Sequence, residues 1–264
     1  MDVEIIASRT GDNHFYLLHS GSGSEGLLID PVDAETALSR AKELGVVVTQ
    51  VVNTHWHPDH TGGNAEVLAA TGARLSVPHG ERDLIKGTHH GLEAGDILKV
   101  SETQLEVVET PGHTVGHISL HTPGHLFCGD TVFVGGAGNC RFGGDPAILF
   151  ETFRGVLGRF DDDTIFYPGH DYSVRNLEFC LHIEESNTAA AAMLTRAREQ
   201  KLAGAFVQST LGQERRASPF MRSDDHDLHE ALATKHPEVW KKYAHCTSDA
   251  QRAFLAVRDL RNNW

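Results

Sequence analysis

The sequence predicts an α/β chain: a layered region of strands and helices, then a small, mainly helical C-terminal region. Three observations predict it. Apolar runs of strand length recur between turn residues as far as Tyr167, and segments with helical spacing are interleaved among them. After Tyr172 the composition turns to helix formers.

Val3 to Ala7, Phe15 to Leu18 and Leu27 to Ile29 read as an antiparallel meander, with Gly21-Ser22-Gly23-Ser24 as a hairpin turn and Asp30-Pro31 closing it. Ala34, Ala37, Leu38, Ala41 and Leu44 share one helical face, and Gly45 is the stop signal. Val46 to Val52 is a buried strand. Gly62-Gly63-Asn64 opens a helix to about Ala70, ended by Gly72, with the glycine pair giving room for backbone packing beside the turn that precedes it. Arg74 to Val77 reads as a strand and Gly80 to Gly91 as a polar, exposed helix and loop. Asp96 to Val100 pairs with Gln104 to Glu109, and Ile118 to His121 pairs with His125 to Cys128 across Thr122-Pro123-Gly124. Gly135 to Gly144 is a glycine-rich, flexible loop without the Gly-Lys-Ser/Thr ending of a phosphate loop. Asp145 to Phe160 is a helix and Ile165 to Tyr167 a last strand. Val174 to Leu202 is helix-forming throughout, Ala205 to Thr210 is strand-like, and Asp224 to Lys235 and Ser248 to Asn262 are amphipathic. The shift of composition divides the chain into domains 1–173 and 174–264.

The 264 residues suffice for one large domain, or one medium and one small. A hydrophobic content of 40% and a charged content of 22% are those of a soluble globular protein. No apolar run approaches the roughly 20 residues that span a bilayer, and Met1 to Arg9 lacks the basic and apolar regions of a secretory signal. A cytoplasmic monomer with no membrane partner is expected. The four cysteines have no CxxC spacing, which excludes a disulfide framework or cysteine zinc site. A formal charge of −13 excludes a broad nucleic-acid surface.

The chemistry centres on Thr54-His55-Trp56-His57-Pro58-Asp59-His60, which follows the Val46 to Val52 strand. Three imidazoles and a carboxylate at a partly dry strand end are costly unless a cation binds them. His55 and His57, two apart, lie on one side of an extended turn and can grip one ion; Asp59 and His60 are displaced toward another. Further candidates follow short apolar segments: His113 in Thr110-Pro111-Gly112-His113, Asp130 in Cys128-Gly129-Asp130-Thr131, and His170 in Tyr167-Pro168-Gly169-His170. Sites in α/β proteins gather at such strand ends.

His55-x-His57-x-Asp59-His60 with His113, Asp130 and His170 resembles the metallo-β-lactamase superfamily, and within it glyoxalase II, the hydroxyacylglutathione hydrolases. Thr110 to His117, Leu126 to Phe133 and Pro168 to Tyr172 are also similar to that family, from Asp12-Asn13 to the last helix. The resemblance implies an αββα metallo-β-lactamase sandwich followed by a helical substrate-binding domain. It implies two divalent metal ions, zinc foremost, with iron or manganese as alternatives. One ion takes His55, His57 and His113, the other Asp59, His60 and His170, and Asp130 bridges them. Asp59 and Asp130 are the implied catalytic carboxylates, with Thr114 and His117 behind the ligands. The implied reaction is attack of a bridging hydroxide on S-D-lactoylglutathione, releasing a 2-hydroxy acid and glutathione.

Glutathione carries two carboxylates, so its site needs local cations. Arg258 and Arg261, three apart on one face of the last helix, match the family's basic pair, and Tyr172 its tyrosine at the thiol end. Arg141 is the remaining basic candidate. Its loop departs from the family, because Gly138-Asn139-Cys140-Arg141-Phe142-Gly143-Gly144 is lengthened and lacks the aromatic-glutamate pair. Two rivals stand beside this reading: a mono-iron enzyme like the persulfide dioxygenases, against which Val174 to Trp264 counts, and a hydrolase of the same fold acting on another thioester or ester.

Overall fold

The computed structural model describes residues 1–9, 11–87 and 89–264. The chain divides into two units. The first comprises Met1–Thr110, Gly116–Gly129 and Tyr167–Asp171, the second Pro111–Val115, Asp130–Phe166 and Tyr172–Trp264.

In the first unit one sheet runs β1 (Asp2–Ala7), β2 (His14–His19), β3 (Glu25–Ile29), β4 (Val47–Val52), β5 (Arg74–Pro78) and β6 (His90–Leu92). The β1–β3 meander is antiparallel, and every step from β3 to β6 is parallel. Parallel neighbours need crossovers, which α1 (Ala34–Leu44) supplies before β4 and α3 (Asn64–Thr71) before β5. The Asp33 side chain caps α1 by accepting from the Thr36 N–H, and Gly45 ends it at φ 69°. A second sheet is built from β7 (Ile97–Val100), β8 (Thr103–Glu109), β9 (Ile118–Thr122) and β10 (His125–Gly129), successive strands pairing antiparallel.

Strand alternation sorts β2 between two interiors. Phe15 and Leu17 pack with Ala37 and Ala41 of α1 and Val67 of α3. Tyr16 points the other way, its ring 5.5 Å from Phe127 of β10 and 5.5 Å from Tyr167. Helix layer, first sheet and second sheet therefore follow one another, each fully buried Leu or Phe contributing about 1.5–3 kcal/mol.

The second unit holds the short hairpin β11 (Val132–Phe133) and β12 (Gly136–Ala137). It also holds α4 (Pro146–Glu151), the Ile165–Phe166 part of β13 (Ile165–Pro168), and β14 (Ser209–Thr210), which pairs with those two residues. Its helices are α5 (Ser173–Ile183), α6 (Thr188–Leu202), α7 (Leu211–Ala217), α8 (His226–Lys235), α9 (Pro237–Lys242) and α10 (Asp249–Asn263). Phe153 and Phe220 lie 5.2 and 5.3 Å from Phe254 of α10, and Phe150 lies 5.6 Å from it.

Several expectations are corrected. The helix-forming stretch from Val174 is two helices, because the Asn187 side chain caps α6 from outside by accepting from the Ala190 N–H at 2.9 Å. Asp145 to Phe160 is α-helical only to Glu151, then continues as a π turn and a 3₁₀ turn. Gly80 to Gly91 contains a 3₁₀ turn, His79–Leu84, and strand β6; its Glu81 is buried, and Thr88 lies outside the described residues. Gly135 to Ala137 of the glycine-rich loop are buried. The backbone packing expected of the glycine pair is present at Gly63, where a Cβ would stand 2.0 Å from the Pro31 carbonyl oxygen. Among the described residues no helix is long and apolar enough to cross a membrane.

Candidate metal centre

The strand ends of the first unit deliver its imidazoles. After β4 the chain runs through His55 and His57 into the single turn α2 (Pro58–Thr61), which the sequence reading did not resolve and which carries Asp59 and His60, the His60 ring returning to 4.1 Å from that of His55. After β13, an isolated bridge between Asn13 and His170 fixes the second approach, beside the 2.8 Å bond from the Gly169 N–H to the Gly129 carbonyl.

Asp30 sets the tautomers. It follows β3 at φ 53°, a left-handed conformation uncommon for a non-glycine residue. Its Oδ2 lies 3.0 Å from His60 Nδ1, and since a carboxylate only accepts, Nδ1 carries the proton and Nε2 the lone pair. The same carboxylate accepts from the Thr54 N–H at 2.8 Å and the Thr54 hydroxyl at 2.7 Å. With its proton committed, that hydroxyl accepts from His55 Nδ1 at 3.0 Å, which makes His55 Nε2 a lone-pair nitrogen too. Asp30 is thus an orienting group whose oxygens are occupied by these donors. Its place beside His55 and His60, all with ligand atoms within 4.8 Å, does not require it to be a ligand.

The donor atoms fit a cation. His55 Nε2 and His57 Nδ1 approach to 3.1 Å, close to the spacing of roughly 3.3 Å between two nitrogens on a tetrahedral zinc with bonds of about 2.0–2.1 Å. Asp59, His60 and His170 offer a second set, all within 4.8 Å, with Asp59 Oδ2 at 3.3 Å from His170 Nε2 and 3.9 Å from His60 Nε2. His60 and His170 are buried, while the Asp59 side chain is half exposed. The Asn13 amide donates to the Asp59 carbonyl oxygen at 2.9 Å and fixes the turn.

His113 and Asp130 meet in the second unit, His113 Nε2 lying 3.5 Å from Asp130 Oδ2. His113 Nδ1 donates to the Asn139 carbonyl at 2.6 Å, so its Nε2 is again the lone-pair nitrogen. Glycines make this possible. Gly112 sits at φ 135° with its Cα against Leu149, where a Cβ would come within 2.4 Å of the Leu149 backbone. At Gly138 a Cβ would stand 2.0 Å from the Asp130 carbonyl oxygen and 3.0 Å from His113.

The other candidates also lie in the second unit. Tyr172 precedes α5, its ring 5.4 Å from Phe133. Arg258, 5% exposed, donates from Nη1 to the Ala137 and Gly138 carbonyls at 2.6 and 3.1 Å. Arg261 donates to Asn176 Oδ1 from Nε at 3.1 Å and from Nη2 at 2.9 Å, and Asn176 in turn donates to the Val134 carbonyl at 3.1 Å. Arg141 Nη2 donates to the Asn262 carbonyl at 3.1 Å. Burial, with the charges of Arg261 and Arg141, pulls the Arg258 guanidinium down to about 10. Burial and the charge of Arg175 lower Arg261 as well. Cys140 is pushed up to about 12 by burial, which excludes it as a thiolate nucleophile at neutral pH.

The superfamily model "Metallo-beta-lactamase superfamily" matches residues 9–170, and the model "Hydroxyacylglutathione hydrolase C-terminus" matches residues 171–264. A hydroxyacylglutathione hydrolase of Polaromonas sp. is 43% identical over 100% of both chains, and one of Nitrosococcus oceani is 42% identical over 96% of this chain and 95% of its own. The chain belongs to the hydroxyacylglutathione hydrolase family. It is accordingly an enzyme, a metal-dependent hydrolase on the metallo-β-lactamase fold, and its clustered His and Asp side chains provide for divalent metal. The crystal structure of ETHE1 from Myxococcus xanthus shares the fold, at 24% identity and a TM-score of 0.65 over 96% of this chain and 99% of that one. In this member of the hydroxyacylglutathione hydrolase family, sequence reasoning missed Asp30 and Glu81. Asp30 carried one usable signal, an acid directly after the buried strand Leu27–Ile29.

Proposed function

We propose that the chain hydrolyses a glutathione thioester, S-2-hydroxyacylglutathione with the D-lactoyl group as acyl part, at a centre for two divalent ions, zinc foremost. One ion is held by His55, His57 and His113 and the other by Asp59, His60 and His170, with Asp130 shared. Such ions, when bound, bring the pKa of a coordinated water toward neutrality and polarise a carbonyl.

The side chains of this chain do the rest. Asp30 and Thr54 keep His55 and His60 in the tautomer that presents Nε2. The Asn139 carbonyl does so for His113. Asp59, half exposed, orients the attacking water, and Asp130 holds its place beside His113. The leaving thiolate of glutathione needs little acid help. Residues 1–173 form the catalytic domain and 174–264 the substrate-binding domain; Arg258 and Arg261 of the latter, with Arg141 and Tyr172 of the former, receive glutathione.

The observation that carries the substrate reading is the crowding of guanidiniums. Arg258 is lowered by burial together with the neighbouring charges of Arg261 and Arg141, a like-charge group that a carboxylate would relieve. The hydroxyacylglutathione hydrolase relatives, alike over nearly the whole chain, support the same substrate class. The test is thiol release from S-D-lactoylglutathione by the zinc-loaded enzyme, run beside oxygen uptake with glutathione persulfide by the iron-loaded one. Thiol release without oxygen uptake is expected; oxygen uptake with no thiol release overturns the reading.

A further inference from the structure

Glu81 lies in the 3₁₀ turn His79–Leu84 and is 1% exposed. Its two carboxylate oxygens reach two different turns. Oε2 accepts from the Trp56 N–H at 2.8 Å, and Oε1 accepts from the Gly116 N–H at 2.9 Å. Trp56 is the residue between His55 and His57. Gly116 precedes His117, whose ring stacks on His55 with centroids 5.0 Å apart and planes at 25°. The Gly116 turn is shaped around this side chain: a Cβ there would stand 2.6 Å from Glu81 Cγ and 3.2 Å from Oε1. The clamp is completed by the backbone, since the Ile118 N–H donates to the Thr54 carbonyl at 2.9 Å.

A buried carboxylate is expensive unless donors hold its charge. Backbone N–H groups at 2.8 and 2.9 Å give charge-assisted bonds, the strong kind. We propose that Glu81 is a positioning residue, a two-point clamp that ties the His55-Trp56-His57 turn to the Gly116-His117 turn and presets His55 and His57 for metal. This rests on the reading of His55 and His57 as ligands. Neither Trp56 nor Gly116 belongs to a strand or helix, so nothing in the sheet ladders would otherwise fix their N–H groups. A ligand pair held in place before the metal arrives loses less freedom on binding it.

Glu81→Gln isolates the effect. The amide has the same shape but one acceptor; its NH₂ meets one of the two N–H donors head-on. Gly116→Ala is the second variant, moving the carboxylate by the added methyl without changing its charge. Both enzymes and the parent are purified with zinc, stripped, and titrated with zinc against a chromogenic chelator. The melting temperature of each metal-free chain is recorded alongside. Zinc affinity is expected to fall about 10–100-fold in both variants, as for other groups that orient metal ligands, with KM for the thioester unchanged at saturating zinc. A residue that only supports the fold would instead lower the metal-free melting temperature and leave the zinc affinity of the folded chain as it was. Affinity within about twofold of the parent in either folded variant overturns the proposal. A parent chain that takes no zinc overturns the ligand reading beneath it.

Discussion

Glu214 is fully buried, and replacing it by glutamine should change how stability depends on pH. Its Oε2 accepts from the Gly135 N–H at 2.8 Å, and the Arg196 charge and the Ser209 hydroxyl also favour its ionised form. Desolvation outweighs them and pushes the carboxyl up to about 7, from an ordinary 4.5. The neighbouring Cys180 thiol is raised by burial and by Glu214 itself, so it brings no counter-charge. Between about pH 4.5 and 7 the folded chain keeps this proton while the unfolded chain has lost it. The folded state then binds more protons, so this group's contribution to stability is full below about 4.5, falls as pH rises, and levels off above about 7. The rise from 4.5 to about 7, at about 1.36 kcal/mol per pH unit, amounts to about 3 kcal/mol. Glu214→Gln stays neutral throughout and lacks this slope. Urea unfolding of the metal-stripped parent and variant from pH 4.5 to 8, followed by far-UV circular dichroism, reads the difference directly. The variant should gain about 3 kcal/mol on the parent across the window. A difference constant to within about 1 kcal/mol would refute the argument that desolvation dominates at Glu214.

Other substitutions test the centre and its surroundings. Asp30→Asn places an amide where one oxygen receives both the Thr54 hydroxyl and His60 Nδ1, so zinc affinity by chelator competition should drop about 10–100-fold. Arg258→Ala leaves the buried carbonyls of Ala137 and Gly138 without their donor, which costs about 1–3 kcal/mol in urea unfolding. The same variant should raise KM for the glutathione thioester about tenfold with a smaller effect on kcat, because the contact lies away from the reacting bond; an unchanged KM removes Arg258 from substrate binding. Gly138→Ala forces a methyl into the Asp130 carbonyl, 2.0 Å away, and should reduce thiol release at least about 100-fold.

The donor residues were legible because they are local. His55-x-His57-x-Asp59-His60 is one turn after one strand, and its spacing alone separates a pair from a displaced pair. Pro-Gly before His113 and His170 likewise marks two turns that aim a side chain. What holds these donors in place was not legible. Asp30 lies 24 residues from Thr54 and 30 from His60, and Glu81 lies 25 from Trp56 and 35 from Gly116. Asp30 meets its partners because the crossover through α1 sets β3 beside β4, and Glu81 meets Trp56 because the crossover through α3 sets β5 beside β4; no local pattern marks either meeting. The C-terminal helices show the same limit. At the break between α5 and α6, Ser186-Asn187 is a local cap signal, but the pin on Glu184, Arg222 at 2.7 Å, comes from a distant segment. The glycine-rich loop looked mobile by composition, yet Glu214, Asn176, Cys180 and Arg258, from three helices, bond its backbone between Val134 and Gly138.

The central claim is that two divalent ions serve one hydrolytic centre. Metal-stripped enzyme titrated with zinc, with thiol release from S-D-lactoylglutathione followed at each addition, tests it most directly. Activity rising until two equivalents are bound per chain, then remaining level, is the predicted result. Full activity at one equivalent, or none at two, would contradict it.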